Sequence, residues 1–270
     1  MIGFIPPNAS PARAAQNVAV EGVDDLVVVG AGINGAGIAR DAAARGLKVA
    51  LVEKEDIGSG TSSWSGRLIH GGLRYLEQGD IALVRESLRE RELLFRYAPH
   101  IVKPVPLMVP IYSHNKRPKW MVRAGMLAYD ILSFDKSTTT HRFLSRKRTL
   151  ERFPQMDPRG LEGSAIFMDG QVVWSERLCV EVALAAKADG AHIFTWSKVD
   201  GFIEEAGRIR GVRFTDTLTG TRHALSARIV INAAGPWVDA VLGEQRPMEK
   251  RHIGGAKGSH LVLDPFPGAP

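Results

Sequence analysis

Gly30, Gly32 and Gly35 form a GxGxxG turn between the apolar run Leu26-Val27-Val28-Val29 and an alanine-rich stretch. Lys48-Val49-Ala50-Leu51-Val52-Glu53 follows and puts a carboxylate 18 residues past Gly35. Residues of these types at this spacing suit the holding of a dinucleotide. Gly30 permits a tight turn, Gly32 lets a pyrophosphate approach the backbone, and Gly35 lets a helix pack close to its strand. Amide groups at the helix start then face the anion, with the helix dipole in their favour. Glu53 suits ribose hydroxyls and disfavours a 2′-phosphate, which turns the reading away from NADP.

A second group of chemistry-bearing residues lies in the glycine- and hydroxyl-rich stretch from Gly58 to Tyr75. Thr61, Ser62 and Ser63 are small and allow close contact with a phosphate or a flat ring. His70, Arg74 and Tyr75 add polar and cationic groups beside them. Arg74 suits an anionic phosphate or a developing oxyanion, because its guanidinium stays charged. A histidine can act as a base at neutral pH, which makes His260 and His70 candidates. Cys179 is the single cysteine, so no disulfide forms within the chain. It stands among Val180, Val182 and Ala183 in a helical pattern and reads as a buried, inert thiol.

These groups need elements to position them. The spacing predicts a strand at 26–29, a helix after the glycine turn and a second strand at 48–53. A helix is expected over 80–97 with Asp80 as its cap, an edge strand with prolines at 105–112, and a helix near 119–133. Strand and turn follow at 162–173, then a helix from Ser175 to about Asp189, opened by a serine cap and closed by Gly190. Strands are expected at 192–195, 199–204, 209–216 and 227–232, the second and third forming a meander that turns at Gly207. Pro236 suits the first turn of a helix, and a last strand is expected over Lys257–Leu263.

The chain has 270 residues, enough to bury a sizeable core in one large domain or two. No stretch approaches the ~20 apolar residues of a membrane helix. Residues 1–23 read as a flexible tail. Pro6, Pro7 and Pro11 lie in it, and it lacks both a secretory apolar core and an Arg-rich transit pattern. The net charge of +6 is concentrated between Lys103 and Arg152, which hold eleven basic and three acidic residues. No recognition motif accompanies this charge, so nucleic acid is not expected as a partner. Lys116-Arg117-Pro118-Lys119-Trp120-Met121-Val122-Arg123 runs into Met126–Leu132. A basic start, a tryptophan and an apolar helical stretch suit an anionic membrane surface. The competing reading is a core-facing helix with a solvated basic end.

Several pieces recur together: Gly30-Ala-Gly-Ile-Asn-Gly-Ala-Gly37, Thr61-Ser-Ser63 and Leu68-Ile-His-Gly-Gly-Leu-Arg-Tyr-Leu76. Glu90-Arg-Glu92, Ala98-Pro-His100, Ala234-Gly-Pro-Trp237 and Lys257-Gly-Ser-His260 follow in order. This set resembles the flavin-dependent glycerol-3-phosphate dehydrogenases of the respiratory, quinone-linked type, over about residues 24–263. The resemblance implies an α/β fold: an FAD-binding Rossmann-like domain with a β-rich substrate domain. It implies an FAD-binding part at 24–104, a substrate or cap insertion carrying the basic segment at 105–160, a second FAD-binding part at 161–247, and the start of a substrate domain at 248–270.

The resemblance also implies FAD in place of NAD. Carried over by position, Gly30, Gly32 and Gly35 hold the pyrophosphate and Glu53 the adenosine ribose. Thr61, Ser62 and Ser63 lie along the phosphates, Val199 offers backbone to the adenine, and Ala234 and Gly235 close on the cofactor. Arg74 faces the substrate, with His260 as first and His70 as second candidate for the base. The implied reaction oxidises sn-glycerol 3-phosphate to dihydroxyacetone phosphate, with hydride passing to the flavin and electrons to a quinone. That places the protein in the cytoplasm, peripheral on the inner face of the cytoplasmic membrane, and leaves a homo-oligomer open. Two departures stand out. Family members are considerably longer, so the chain is expected to be incomplete at its C-terminus, and the activity is expected of the family rather than of this length of chain. Arg67 stands where the family usually has lysine. The rival readings are a non-catalytic FAD-binding fragment and a flavin amino-acid oxidase of the same fold, and the Leu68–Leu76 motif argues against the second.

Overall fold

The apolar run that ends at Val29 closes a long strand, β1 (Asn17–Val29). The computed structural model describes residues 17–245, 250–255, 258–261 and 264, with backbone alone at 17–23. After β1 come α1 (Ile33–Ala44), β2 (Val49–Val52), β3 (Leu68–Ile69), α2 (Leu73–Leu76), α3 (Ile81–Tyr97), β4 (Val102–Tyr112) and α4 (Lys119–Leu132). Then follow β5 (Arg142–Ser145), α5 (Arg146–Arg152), β6 (Leu161–Val172), α6 (Ser175–Ala188), β7 (His192–Phe194), β8 (Ser197–Glu205), β9 (Arg208–Asp216), β10 (Arg222–Asn232) and α7 (Val238–Gly243). A 3-10 turn at Gly235–Trp237, with Pro236 in its first positions, leads into α7.

The chain divides into two compact units: Met1–Ser65 with Trp174–Gly258, and Gly66–Val173 with Ser259–Pro270. The first holds a six-stranded sheet in the order β7-β2-β1-β10-β9-β8. The strands from β7 to β10 run parallel, and β9 and β8 continue antiparallel. Leu26, Val28, Val49 and Leu51 pack with the alanines of α1 and with Ala183 and Ala186 of α6. Val27, Val29, Ala50 and Val52 pack on the other face with Val199, Phe202, Val212, Phe214 and Leu225. Burial on both faces explains why these strands read as unbroken apolar runs. Each fully buried valine or leucine contributes about 1.5–3 kcal/mol. The β8–β9 hairpin turns through Ala206 (φ +50°) and Gly207 (φ +74°), the pair of positive φ values that a type I′ turn requires.

In the second unit β4 and β3 pair antiparallel to β6, and β5 pairs with β6 as well. β4 runs along β6 from Val102 to Tyr112, with no further strand beyond it among the described residues. Pro104, Pro106 and Pro110 share one parity along β4, so their missing N–H groups fall on the same side of the strand, as an edge permits. Asp80 caps α3 by accepting from the Leu83 amide at 3.1 Å. Val84 and Leu88 of α3 pack with Met126 and Tyr129 of α4 and with Ala165 and Phe167 of β6.

Four expectations change. Residues 17–23, read as tail, are strand, because Asn17–Ala19 find partners at Arg222–Ala224 of β10; residues 1–16 lie outside the described residues. Ser175 does not cap α6: Trp174 holds the cap position and the Ser175 hydroxyl donates to Glu176 at 3.3 Å. Gly258–Leu261 carries no strand where one was expected over 257–263, and the remainder of that span lies outside the described residues. The units part after Ser65 and Val173 rather than after 104 and 160, because β6 pairs with both β3 and β4 and so draws residues 66–104 and 161–173 into one unit.

Candidate functional site

The glycine turn lies at the carboxyl end of β1. The Gly30 N–H donates to the Val52 carbonyl at 2.8 Å and its φ is +102°. A Cβ at Gly30 would sit 2.8 Å from the Ala233 carbonyl oxygen, so only glycine fits between β1 and the turn after β10. A Cβ at Gly35 would overlap the Gly30 carbonyl oxygen, which fixes how closely α1 packs on β1. Gly32 is the N-cap of α1 and has no side chain to satisfy the first amides, and no acid stands in the first turn. The Ile33 N–H donates to Ser62 Oγ at 3.0 Å. Helix geometry leaves the other first-turn amides without intrahelical partners.

Glu53 is 8% exposed and accepts from the Ala31 N–H at 2.7 Å through Oε2 and from the Glu55 N–H at 3.0 Å through Oε1. Each oxygen keeps a lone pair. The 58–63 loop is pinned under α1: the Gly58 N–H donates to Ala31 O at 3.0 Å, and Ser63 Oγ–H donates to Gly58 O at 2.6 Å. Gly58 rests on Cys179, whose Cβ is 3.1 Å from where a side chain would begin. Burial pushes the Cys179 thiol up from its ordinary range. Thr61 is exposed. The Ala234 N–H donates to Asn232 Oδ1 at 3.2 Å, and Gly235 turns at φ +53°. The Trp237 ring reaches to 3.0 Å of a Cβ at Gly60, and Lys54 Nζ stands 4.4 Å from its centroid. The Val199 side chain is in the core while its backbone pairs with Phe214. The structure thus brings Gly30, Gly32, Gly35, Glu53, Ser62, Ala234 and Gly235 into one region of the first unit.

The second unit carries His70 and Arg74. His70 follows β3 and is exposed; its Nδ1 lies 3.5 Å from Asp169 Oδ2. Arg74 is exposed in the short helix α2. Asp169 of β6 accepts at Oδ1 from the Gly71 N–H at 3.0 Å and from Arg91 Nη1 at 2.6 Å. Arg91 also donates to Tyr129 Oη at 2.9 Å. Burial pushes the Tyr129 phenol well above its ordinary range, so it stays protonated. His260 is exposed in the irregular 258–261 segment. Sequence reasoning assigned no role to Asp169, Arg91 or Tyr129. One signal was available: Arg91 falls three residues after Leu88 and seven after Val84, at a core position of α3.

A family model described as FAD dependent oxidoreductase matches residues 25–270. The chain belongs to this family. A glycerol-3-phosphate dehydrogenase from Synechocystis sp. is 50% identical over 256 residues, covering 91% of this chain and 46% of that protein. A D-erythritol 1-phosphate dehydrogenase from Brucella abortus is 44% identical over 246 residues, covering 90% of this chain and 47% of that protein. The chain spans about half the length of the curated relatives it matches. Among solved structures, the glycerol-3-phosphate dehydrogenase from Bacillus halodurans complexed with FAD superposes with a TM-score of 0.64 at 33% identity, over 83% of this chain and 36% of that one.

The first unit fits the cofactor of this FAD-dependent family. A helix start without side-chain cap or acid, next to the Ser62 hydroxyl, suits a pyrophosphate. A carboxylate with an acceptor site left on each oxygen suits ribose hydroxyls.

Proposed function

We propose that this chain serves an FAD-dependent oxidation of sn-glycerol 3-phosphate to dihydroxyacetone phosphate. The observation that carries the reading is the 50% identity to a glycerol-3-phosphate dehydrogenase in a chain whose glycine turn fits FAD. Gly30, Gly32 and Gly35 hold the pyrophosphate with Thr61, Ser62 and Ser63, and Glu53 holds the ribose. Val199 offers backbone to the adenine, and Ala234 and Gly235 offer backbone to the rest of the cofactor. Hydride acceptance from C2 of the substrate is the chemistry FAD supplies when bound. Arg74 binds the anionic substrate through its guanidinium fork. His260, the first candidate, or His70 beside Asp169 takes the hydroxyl proton.

The test is reduction of a dye by FAD-loaded protein given glycerol 3-phosphate, with erythritol phosphate and glycine in parallel. Turnover with glycerol 3-phosphate is expected. Faster turnover with erythritol phosphate would move the substrate to a longer polyol phosphate, and turnover with glycine alone would replace the reading by an amino-acid oxidase. A soluble, flavin-loaded sample that turns over nothing would make this chain a non-catalytic FAD-binding fragment.

Delivery of electrons to a quinone is part of the same proposal. No helix among the described residues is long and apolar enough to cross a membrane. α4 nevertheless exposes Trp120, Leu127 and Ile131 at helical spacing, beside Lys119 and Arg123, and Phe134 is exposed in the turn past its end. Such a stripe suits the surface of an anionic bilayer. Co-sedimentation with anionic vesicles is expected to weaken in K119E/R123E; equal binding would remove this contact.

A further inference from the structure

Arg91 and Asp169 form an ion pair in the core of the second unit, with side chains 1% and 4% exposed. Replacing such a pair with apolar residues is often neutral or stabilising, so its presence points to a task of position rather than of stability. The two carboxylate oxygens of Asp169 divide that task. Oδ1 accepts from Arg91 Nη1 at 2.6 Å, from the Gly71 N–H at 3.0 Å and from the Gly170 N–H at 3.2 Å. Oδ2 stands 3.5 Å from His70 Nδ1. The guanidinium is itself placed by Tyr129 Oη and the Met168 carbonyl. Its Nε is buried with no hydrogen-bond partner among the described residues, while its Nη1 faces Tyr129, Met168 and Asp169.

We propose that Asp169, clamped by Arg91, is a positioning residue that sets the tautomer and the aim of His70. A carboxylate only accepts, so the ring nitrogen facing it carries the proton. The neutral ring then holds its proton on Nδ1 and presents the Nε2 lone pair on the side away from Asp169. A histidine in water favours the opposite tautomer. His70 is 63% exposed, and the buried Asp169 carboxylate, an acceptor-only group, stands 3.5 Å from its Nδ1. The Gly71 amide bonded to the same carboxylate fixes the backbone next to the ring. The proposal rests on the reading of His70 as the base.

The test is a long-range ¹H–¹⁵N correlation spectrum of the full chain labelled at histidine, at a pH where the rings are neutral, with His70 assigned through H70Q. His70 is expected to show the Nδ1–H pattern while exposed histidines show mainly Nε2–H. In D169N, Arg91 and the Gly71 amide claim the remaining oxygen and the new NH₂ group faces His70. The majority tautomer is then expected to switch to Nε2–H. An Nε2–H pattern in the unaltered protein, or an Nδ1–H pattern unchanged in D169N, overturns the proposal. The first of these needs no variant, so the outcome stands even if D169N fails to fold. Added glycerol 3-phosphate separates the two readings. If it leaves the His70 nitrogens unmoved in a ring that is Nδ1–H, the positioning holds and His70 leaves the substrate site.

Discussion

The Ala31 amide donates to Glu53 Oε2 at 2.7 Å, across 22 residues of chain. The turn that suits a pyrophosphate therefore also orients the carboxylate that suits the ribose. In E53Q one oxygen becomes an NH₂ group facing an N–H donor. We expect a loss of about 1–3 kcal/mol in urea unfolding, the range for a buried donor left unsatisfied beside a lost charge-assisted bond. Titration with FAD should show weaker binding. Unchanged stability and affinity would mean that the contact with Ala31 does not position Glu53.

Gly35 offers a test with an unusual sign. Glycine to alanine inside a helix ordinarily stabilises by about 1 kcal/mol. Here the added Cβ would overlap the Gly30 carbonyl oxygen, so α1 must lift from β1. G35A is expected to destabilise by about 1–3 kcal/mol, the range for overpacking, and to lose FAD. Denaturation midpoints and the flavin absorbance of the purified protein check both. Stabilisation would show that α1 shifts freely.

Gly71 and Tyr129 should behave as a coupled pair. A Cβ at Gly71 would overlap the Tyr129 hydroxyl and stand 2.5 Å from Leu88 Cδ2. G71A is expected to destabilise strongly, and Y129F to recover part of that loss because Leu88 still obstructs. A double-mutant cycle in urea should show coupling of about 0.5–3 kcal/mol. Additive effects would place the clash elsewhere.

Asp135 supplies a pH dependence. Arg85 donates to it twice, at 2.6 and 2.7 Å, and holds its carboxyl down at about 2. A carboxyl whose folded pKa is depressed stabilises the fold above its unfolded value of about 3.9 and loses that contribution as pH falls toward the folded value. The side chains are 30% and 37% exposed, so solvent screening limits the pair to at most about 1 kcal/mol. D135N should be less stable than the parent by that amount near neutral pH, with the difference shrinking as pH falls below about 4 and vanishing only below about 2. Urea midpoints across this range decide it; a difference that persists in acid would assign the effect to packing.

Cys179 should resist thiol reagents. It is 1% exposed and burial raises its pKa, both of which suppress the reactive thiolate. Labelling by an aromatic disulfide is expected only at the rate of unfolding. Rapid labelling under native conditions would show that the 58–63 loop opens.

The nucleotide half of the fold was legible because its signals are local. Gly30, Gly32, Gly35 and Glu53 lie within one strand–turn–helix–strand passage, and the alternation of β1 and β2 between two faces is written in consecutive residues. Asp80 was legible as a cap for the same reason. The Asp169 cluster was not, because its partners come from α3, α4 and the turn after β3, and a charge on an apolar helix face gives no hint of its partner 78 residues away. The extent of β1 was hidden likewise: Asn17–Ala19 have little strand character of their own and are recruited by β10.

β1 stands between β2 and β10, and Leu26 is matched to Ile229 on the β10 side. That register partner is made about 200 residues later, which at ribosomal speeds of roughly 5–20 residues per second is a wait on the order of 10–40 s. Through that interval the nascent chain carries a valine-rich strand with an open edge, while the whole inserted unit from Gly66 to Val173 is synthesised. Yield of this fold in a cell therefore depends on what shields β1 until β10 is made, a burden set by topology and independent of how stable the finished sheet is.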